Sequence, residues 1–163
     1  MRFPRARLVI PAVLLAAAVG TGVPAALLYQ DAVATEAAQA NRAPASAATK
    51  ARLEQVLSYR FTTIDQDLTA AKADTTGEFG QQFAVAADQI IAAAARQAEI
   101  TTTATVVSTA VVDAHPDEVV VLAFVNQTTT TKDKPQPATG ALRLRVTLER
   151  AGGQWLISRL AQV

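Results

Sequence analysis

The sequence has no cysteine and a single histidine, His115, and these two shortages exclude most metal and nucleophile chemistry. Without cysteine, the chain can form neither a disulfide nor a thiolate metal site. His115 is followed by Pro116 and Asp117 in a turn-like stretch and has no second histidine to act with. No glycine-rich phosphate loop is present, because Gly152 and Gly153 lack the following helix that such a loop needs. We therefore predict no catalytic residue, no metal site and no cofactor.

Aromatic residues are also scarce, and the net charge is small. Aromatics make up 5% of the 163 residues, and the formal net charge is +1. Three arginines precede the first apolar run (Arg2, Arg5 and Arg7), and the rest of the chain carries 12 basic against 14 acidic residues. This slightly acidic body offers no basic patch for nucleic acid. Hydrophobic residues reach 50%, which is enough for one modest core.

One long uncharged run, from Leu8 to Tyr29, follows the three arginines. Its 22 residues would span about 33 Å as a helix, against about 30 Å for a bilayer core. The positive-inside rule places the arginines in the cytoplasm and the remainder outside. We predict a cytoplasmic tail over residues 1–7, a transmembrane helix over 8–29 and a single-pass cell-membrane protein. The alternative is a signal peptide cleaved after Ala34, because residues 32–34 read Ala-Val-Ala.

The polar, alanine-rich stretch over residues 30–49 includes Pro44 and is interpreted as a stalk, so the folded domain is predicted over 50–163. A first helix is predicted over Lys50–Lys72 from an apolar stripe at helical spacing: Leu53, Leu57, Phe61, Ile64, Leu68 and Ala71. Thr75 and Glu78 fit a capping box that opens a second helix. One face of that helix is predicted to carry Phe79, Phe83, Ala87, Ile90 and Ala94.

From Thr101 onward the sequence changes to β-branched residues, which are typical of strands. Strands are predicted over Thr101–Val112, Val119–Val125, Leu142–Leu148 and Trp155–Val163. Val119–Val125 is apolar at successive positions and is expected to be covered on both faces. Thr128–Thr139 is interpreted as a polar loop. Helices followed by strands predict an α+β domain, with two or three helices on one face of a curved antiparallel sheet of about four strands.

Five residues are candidates for a pocket or a partner contact: Tyr59, Phe61, Asp65, Asp67 and Trp155. The three aromatic residues could line an apolar cavity, although aromatics at such positions more often belong to the core. Asp65 and Asp67 are the two carboxylates that an acid–base site would need. Residues two apart on a helix point in different directions, so we favour solvated or positioning roles for both.

Three stretches carry a family resemblance: Leu57–Leu68 (LSYRFTTIDQDL), Thr76–Phe79 (TGEF) and Gly153–Leu160 (GQWLISRL). Together with the basic N-terminus, the span and the stalk, they resemble the Mce-associated membrane proteins of actinobacteria. None of the three is a catalytic signature, so the resemblance rests on architecture and short motifs. It implies an NTF2-like (cystatin-like) extracytoplasmic domain. It also implies an accessory role beside Mce importers, which move sterols, fatty acids or other lipids across the cell envelope.

Two other functions stay open at this point. The domain could bind a lipid or sterol in the cone beneath its sheet, or it could resemble the isomerases and dehydratases of the NTF2-like fold. Only Asp65 or Asp67 could serve such an enzyme, and a shared fold does not transfer activity. The expected partners are Mce transporter components, the bilayer through the N-terminal helix and, in the lipid-binding alternative, a lipid; nucleic acid is not expected.

The membrane anchor gives a direct prediction. Fractionation of expressing cells should recover the chain in membranes, with its N-terminal residues intact, because 22 uncharged residues are enough to hold it there. Mass spectrometry of the isolated protein checks its first residue. Recovery of a polypeptide that begins near Thr35 in the culture fluid would contradict the anchor and support cleavage.

Overall fold

The computed structural model describes residues 35–163, of which Ala38–Val163 form one compact unit. Helix α1 covers residues 35–57. It is followed by β1 (Tyr59–Arg60), a 3-10 turn (Phe61–Thr63), α2 (Ile64–Ala73), α3 (Gly77–Ala86), a π-helical turn (Ala87–Ile91) and α4 (Ala92–Ala98). Four long strands complete the chain: β2 (Thr101–Ala114), β3 (Glu118–Thr131), β4 (Lys134–Ala151) and β5 (Gln154–Gln162). The predicted α+β class, with helices followed by an antiparallel sheet, is confirmed.

The sheet has the strand order β1-β2-β3-β4-β5, and every neighbouring pair is antiparallel. In the described part of the chain the sheet has five strands, where about four were predicted, and the additional one is the two-residue β1. Register shifts in β2, between Val106 and Ser108 and between Val111 and Asp113, are bulges, which bend and twist a strand.

The core lies between α1 and one face of the sheet. Ala45 and Leu53 of α1 are fully buried and cluster with alternate strand residues: Val119, Val121, Ala123, Val125, Val146, Leu148 and Ile157. Strand side chains alternate between the two faces, so this cluster occupies one face only, which we call the inner face. The space between α1 and the inner face is thus filled by side chains.

Residues that were assigned to the stalk belong to α1. Residues 35–49 are helical, Ala45 and Thr49 are fully buried, and the Thr49 hydroxyl donates to the Ala45 carbonyl at 2.8 Å. Alanine has the highest helix propensity, and its small side chain lets a helix lie close to a sheet. The compact unit therefore begins at Ala38, before the predicted boundary at residue 50.

The predicted membrane span over 8–29, the tail over 1–7 and the cleavage point after Ala34 lie outside the described residues. Within residues 35–163, no helix combines the length and the apolar character needed to cross a bilayer.

The prediction of one continuous helix over Lys50–Lys72 is wrong. The helix stops at residue 57, and Tyr59 and Arg60 pair with Thr102 and Thr101 of β2 instead. Aromatic and β-branched residues, which dominate this stretch, fit a strand better than a helix. The predicted stripe nevertheless identified buried residues, since Leu53, Ile64, Leu68 and Ala71 are all at most 4% exposed.

The start of α3 also differs from the prediction. Its N-cap is Thr76, without a side-chain capping bond, so the predicted capping box does not form. Thr75 instead donates its hydroxyl to the Lys72 carbonyl at 2.8 Å. The same segment covers the edge of β5: the Ile157 N–H donates to the Asp74 carbonyl and the Thr76 N–H to the Ile157 carbonyl, at 3.0 and 2.9 Å.

A π-helical turn changes which face of the second helical stretch is buried. Ala87 is buried as predicted, but beyond it Ala92 and Ala95 are buried while Ile90 is 65% exposed. The wider π turn accommodates one extra residue, which rotates the following helix relative to a regular α-helix. The prediction that Ile90 and Ala94 face the core is therefore wrong by one to two positions.

The predicted polar loop over Thr128–Thr139 is a β-hairpin. Thr128 pairs with Thr139 and Thr131 with Lys134, around a turn at residues 132–133. Threonine is a strong strand former, which favours the extended arms. Among the described residues, β4 before Leu142 has β3 on one side and no strand on the other, and this segment carries Pro135 and Pro137.

Coverage of β3 on both faces was predicted and is wrong for the described residues. Its inner residues are buried, whereas Val120 and Leu122 are half-buried and Phe124 is 39% exposed. The helices between residues 35 and 98 pack on the inner face, so no element of the described range covers the opposite face, which we call the outer face.

Packing of α1 onto the inner face should dominate stability. Leu53→Ala removes a fully buried side chain and should lower the free energy of unfolding by about 2–5 kcal/mol. The control Val107→Ala, at a position 62% exposed, should change it by less than about 0.5 kcal/mol. Urea unfolding followed by fluorescence of Trp155, the single tryptophan, measures both. Equal effects of the two variants would contradict the packing described here.

Candidate functional site

A polar cleft opens where α1 gives way to β1. It encloses about 510 Å³ between the end of α1, α2 and the start of β2, and its lining residues are mostly polar: Gln55, Ser58, Tyr59, Arg60, Gln66, Asp67, Ala70, Thr102 and Thr103. Two of the five predicted candidates, Tyr59 and Asp67, lie in it. The interruption of the helix, which the sequence pattern did not reveal, is what creates this cleft.

Two side chains, Glu54 at the end of α1 and Ser58 directly after it, hold the cleft region against β2. The Ser58 hydroxyl accepts from the Ala104 N–H and the Glu54 carboxylate from the Val106 N–H, both at 2.9 Å. These N–H groups belong to β2 beyond the point where β1 ends, so they would otherwise be open strand-edge donors. The contacts fix α1 against β2 and so set the width of the cleft.

Asp67 is a positioning residue in this arrangement. Its Oδ2 accepts from the Arg60 N–H at 2.9 Å and from the Thr63 hydroxyl at 2.8 Å. The Arg60 Nε lies 3.9 Å from the same oxygen. The side chain is 19% exposed, and these contacts use it to tie the first turn of α2 to β1. Asp67 therefore provides a hydrogen-bond acceptor for a backbone N–H of the edge strand β1.

Arg60 differs from Asp67 in its exposure. Its side chain is 65% exposed and, among residues 35–163, its guanidinium makes one long contact, to Asp67, so most of its donors face solvent. An exposed guanidinium beside the amides of Gln55 and Gln66 suits a polar or anionic group of a partner. The lining residues are mostly of polar type, and Tyr59 and Ala70 add apolar surface to the cleft.

Asp65 lies away from the cleft. Its carboxylate pairs with Arg96 of α4, and its side chain is 82% exposed. The two carboxylates thus serve different elements, in agreement with the expectation that residues two apart on a helix diverge.

Phe61 and Trp155 also lie apart from the cleft. Phe61 is half-buried and packs against a small cluster of Ile64, Leu68, Ala87, Ala92 and Ala95. Trp155 is 7% exposed in the main core, and the Arg150 guanidinium carbon lies 4.7 Å from its ring centroid. The five candidates therefore do not form one site. The break after α1 and the turn between β4 and β5 place them in different parts of the domain.

A second polar network was missed. Arg150 Nη2 donates to the Asn41 Oδ1 at 2.8 Å, and the Asn41 side-chain amide donates to the Pro116 carbonyl at 2.8 Å. This network ties α1 to the β2–β3 turn and to β4. A two-residue turn at Gly152-Gly153 places Arg150 opposite Trp155, so the contact between these two residues could have been deduced from that turn.

Comparison with known proteins places the chain among mycobacterial sequences. The family model described as "Uncharacterized protein Rv1363c/MT1408-like" matches residues 6–163. Uncharacterized protein Rv1362c of Mycobacterium tuberculosis is 44% identical over 108 residues, which are 66% of this chain and 49% of that protein. The match thus spans about half the length of that relative. Outer membrane protein Rv1973 of the same organism is 36% identical over 154 residues, covering 94% of this chain and 93% of that protein.

Solved structures share the fold at low sequence identity. An IcmL-like type IV secretion system protein from Legionella pneumophila superposes with a TM-score of 0.63 and 10% identity, over 75% of this chain and 91% of that chain. A periplasmic fragment of TraM gives a TM-score of 0.56 and 11% identity, over 71% of this chain and 92% of that fragment. At such identities the likeness concerns the fold alone.

The two aspartates make a matched pair for testing the cleft. Asp67→Ala leaves the Arg60 N–H and the Thr63 hydroxyl without their acceptor and should lower the free energy of unfolding by about 1–2 kcal/mol. Asp65→Ala removes only an exposed ion pair and should cost less than about 0.5 kcal/mol. Urea unfolding compares them. A larger loss from Asp65→Ala would refute the positioning role of Asp67.

Proposed function

The chain belongs to the Rv1363c/MT1408-like family, and we propose that it is a membrane-anchored, non-enzymatic accessory subunit of an Mce-type lipid import complex in the actinobacterial cell envelope. The observation that carries this proposal is the filled inner face. Where a ligand-binding relative of the fold would hold its ligand, Leu53 and the valines of β3 pack without exposed surface. A folded domain with a filled interior acts through its solvent-exposed surface, by contact with other proteins.

The comparisons support an envelope role of this type. The likeness to the IcmL-like protein and to the TraM fragment covers over 90% of each of those chains. A domain of this fold can therefore make up nearly all of a periplasmic fragment, without a further catalytic domain beside it. The name of the relative Rv1973, an outer membrane protein, agrees with a place in the envelope. The anchor would raise the concentration of the head beside any membrane partner.

The polar cleft is the part of the head that we propose to contact the transporter. Arg60 supplies an exposed cation, and Gln55, Gln66 and Ser58 supply neutral donors and acceptors around it. Such a surface recognises polar and acidic side chains of a protein. It is unsuited to the apolar tail of a sterol or fatty acid, which needs a pocket lined mainly by hydrophobic groups.

The two alternative functions have less support. Lipid binding in the cone would require the buried residues of the inner face to move apart, at the expense of the main core. An acid–base reaction would require a carboxylate free to exchange a proton with a bound substrate, whereas Asp67 accepts two hydrogen bonds and Asp65 is paired with Arg96 outside the cleft.

Affinity capture tests the accessory role. The full chain, tagged at its C-terminus and expressed in a bacterium that carries Mce transporters, is captured from membranes in mild detergent. Mass spectrometry should find Mce components enriched. The variant Arg60→Glu, which reverses the exposed charge of the cleft, should reduce that enrichment by about tenfold, since like charges at an interface cost several kcal/mol. Lys50→Glu, also exposed but on α1 outside the cleft lining, is the matched control.

The outcomes separate two claims. Absence of Mce components from the capture of the unaltered chain, with those components expressed, would overturn the accessory role. Their presence at equal levels with Arg60→Glu and Lys50→Glu would retain the role and exclude the cleft as the contact.

A further inference from the structure

The outer face of the sheet is an apolar surface that no described element covers. On β3, Val120 and Leu122 are half-buried and Phe124 is 39% exposed. Val107 and Val112 sit at the two bulges of β2 and are 62% and 55% exposed. Single exposed apolar residues are ordinary, but a contiguous group on one sheet face is typical of an interaction surface.

Charges on this face are separated along the strands. At one end, Arg143 is paired across the sheet with Phe124, and Arg145 with Leu122. At the other end, Glu149 is paired with Glu118. Thr147 and Val120 lie between the two ends. The face therefore has a basic end that also carries Phe124, a middle with Val120 beside Thr147, and an acidic end.

Two further charges lie level with Val120 near the sides of the face. Asp113 is on β2, and Arg159 is on β5 opposite Thr147. Being of opposite sign and on opposite sides, they leave the lengthwise separation of charge unchanged.

We infer that this face is self-complementary and pairs two copies of the chain in an isologous dimer. A two-fold axis that crosses the strands between Thr147 and Arg145 turns the second copy end to end. It brings the Arg143 and Arg145 of one copy to the Glu149 of the other, and the reverse. Val120 of each copy then lies near the partner's Leu122, and Phe124 lies near the partner's Glu118.

The alternative two-fold axis, parallel to the strands, is disfavoured by charge. It would keep the ends in register and place Glu118 and Glu149 of one copy over the same pair of the other. Like charges brought together at an interface are destabilising. The parallel axis would bring Asp113 to the partner's Arg159, but it would gather like charges at both ends of the face, whereas the end-to-end arrangement matches opposite charges at both ends.

The size of the face sets the expected strength. Strands lie about 4.8 Å apart and rise about 3.4 Å per residue, so the stretch from Glu118 to Phe124 across β2–β5 measures roughly 19 by 23 Å. That is about 440 Å² per copy and roughly 900 Å² in total, which is below the range of stable interfaces and in the range of weak, transient ones. The dimer is therefore weak in free solution and is favoured when both copies are held at one membrane.

Cysteine crosslinking of the full chain in its own membranes tests this pairing. The chain has no cysteine, so a single Leu122→Cys near the axis gives an unambiguous site. A short bis-maleimide should link two copies, seen as a dimer on a denaturing gel. Val85→Cys, at an exposed apolar position of α3, is the control for random collision and should give at least about fivefold less dimer.

Charge reversal then tests the arrangement, with Leu122→Cys present in every chain. Arg143→Glu with Arg145→Glu should reduce the crosslinked dimer by about tenfold, and so should Glu118→Arg with Glu149→Arg. Co-expression of these two variants with different tags should restore the mixed dimer, because opposite charges then meet at both ends. Restoration also shows that both variants are folded.

Two results would overturn the inference. If Leu122→Cys yields no more dimer than Val85→Cys, the outer face does not pair copies. If Leu122→Cys does form the dimer but the charge variants neither weaken it alone nor restore it together, the end-to-end arrangement is wrong. In that case an uncharged contact, or a different protein, covers the face.

Discussion

Everything in this domain depends on α1 lying against the inner face of the sheet. The helix contributes Ala45 and Leu53 to the core. Its Glu54, together with Ser58 directly after the helix, also accepts hydrogen bonds from the edge of β2. One element thus meets both the apolar and the hydrogen-bonding needs of the sheet. Asn41, near the other end of the helix, adds the link to Arg150 and the β2–β3 turn. Burial of apolar side chains, as between α1 and the sheet, is the main favourable term in folding.

How far the sequence predicts the structure depends on whether a pattern is local. The spacing of Leu53, Ile64, Leu68 and Ala71 identified buried positions correctly. Apolar side chains are buried whether the backbone forms one continuous helix or two helices with a break. Element boundaries failed where tertiary contacts decided them. Pairing of Tyr59 and Arg60 with β2 broke the first helix, and the π turn at Ala87–Ile91 shifted the second. The aromatic and β-branched residues around Tyr59 favour the first break, whereas nothing in the spacing of the apolar residues indicates the π turn.

The candidate site shows the same division. The divergence of Asp65 and Asp67 follows from helical geometry and could be predicted. Their partners could not, because Arg96 is brought to Asp65 by packing of α4, and the Arg60 N–H is brought to Asp67 by the break in the helix. A search for paired carboxylates therefore found residues that matter for the architecture. The exposed Arg60, which we propose as the contact, sits next to a predicted residue and was passed over because a lone arginine carries no pattern.

The two prolines of β4 have a consequence for how this protein behaves when crowded. A strand with one free side is a template on which a second chain can add its own backbone, and repeated addition leads to cross-β fibres. Pro135 and Pro137 lie in the part of β4 that extends past β5, and neither has an N–H to offer. The two prolines therefore hinder the addition of a second strand to this part of β4. Crowded molecules can thus touch through their side chains without seeding open-ended aggregates.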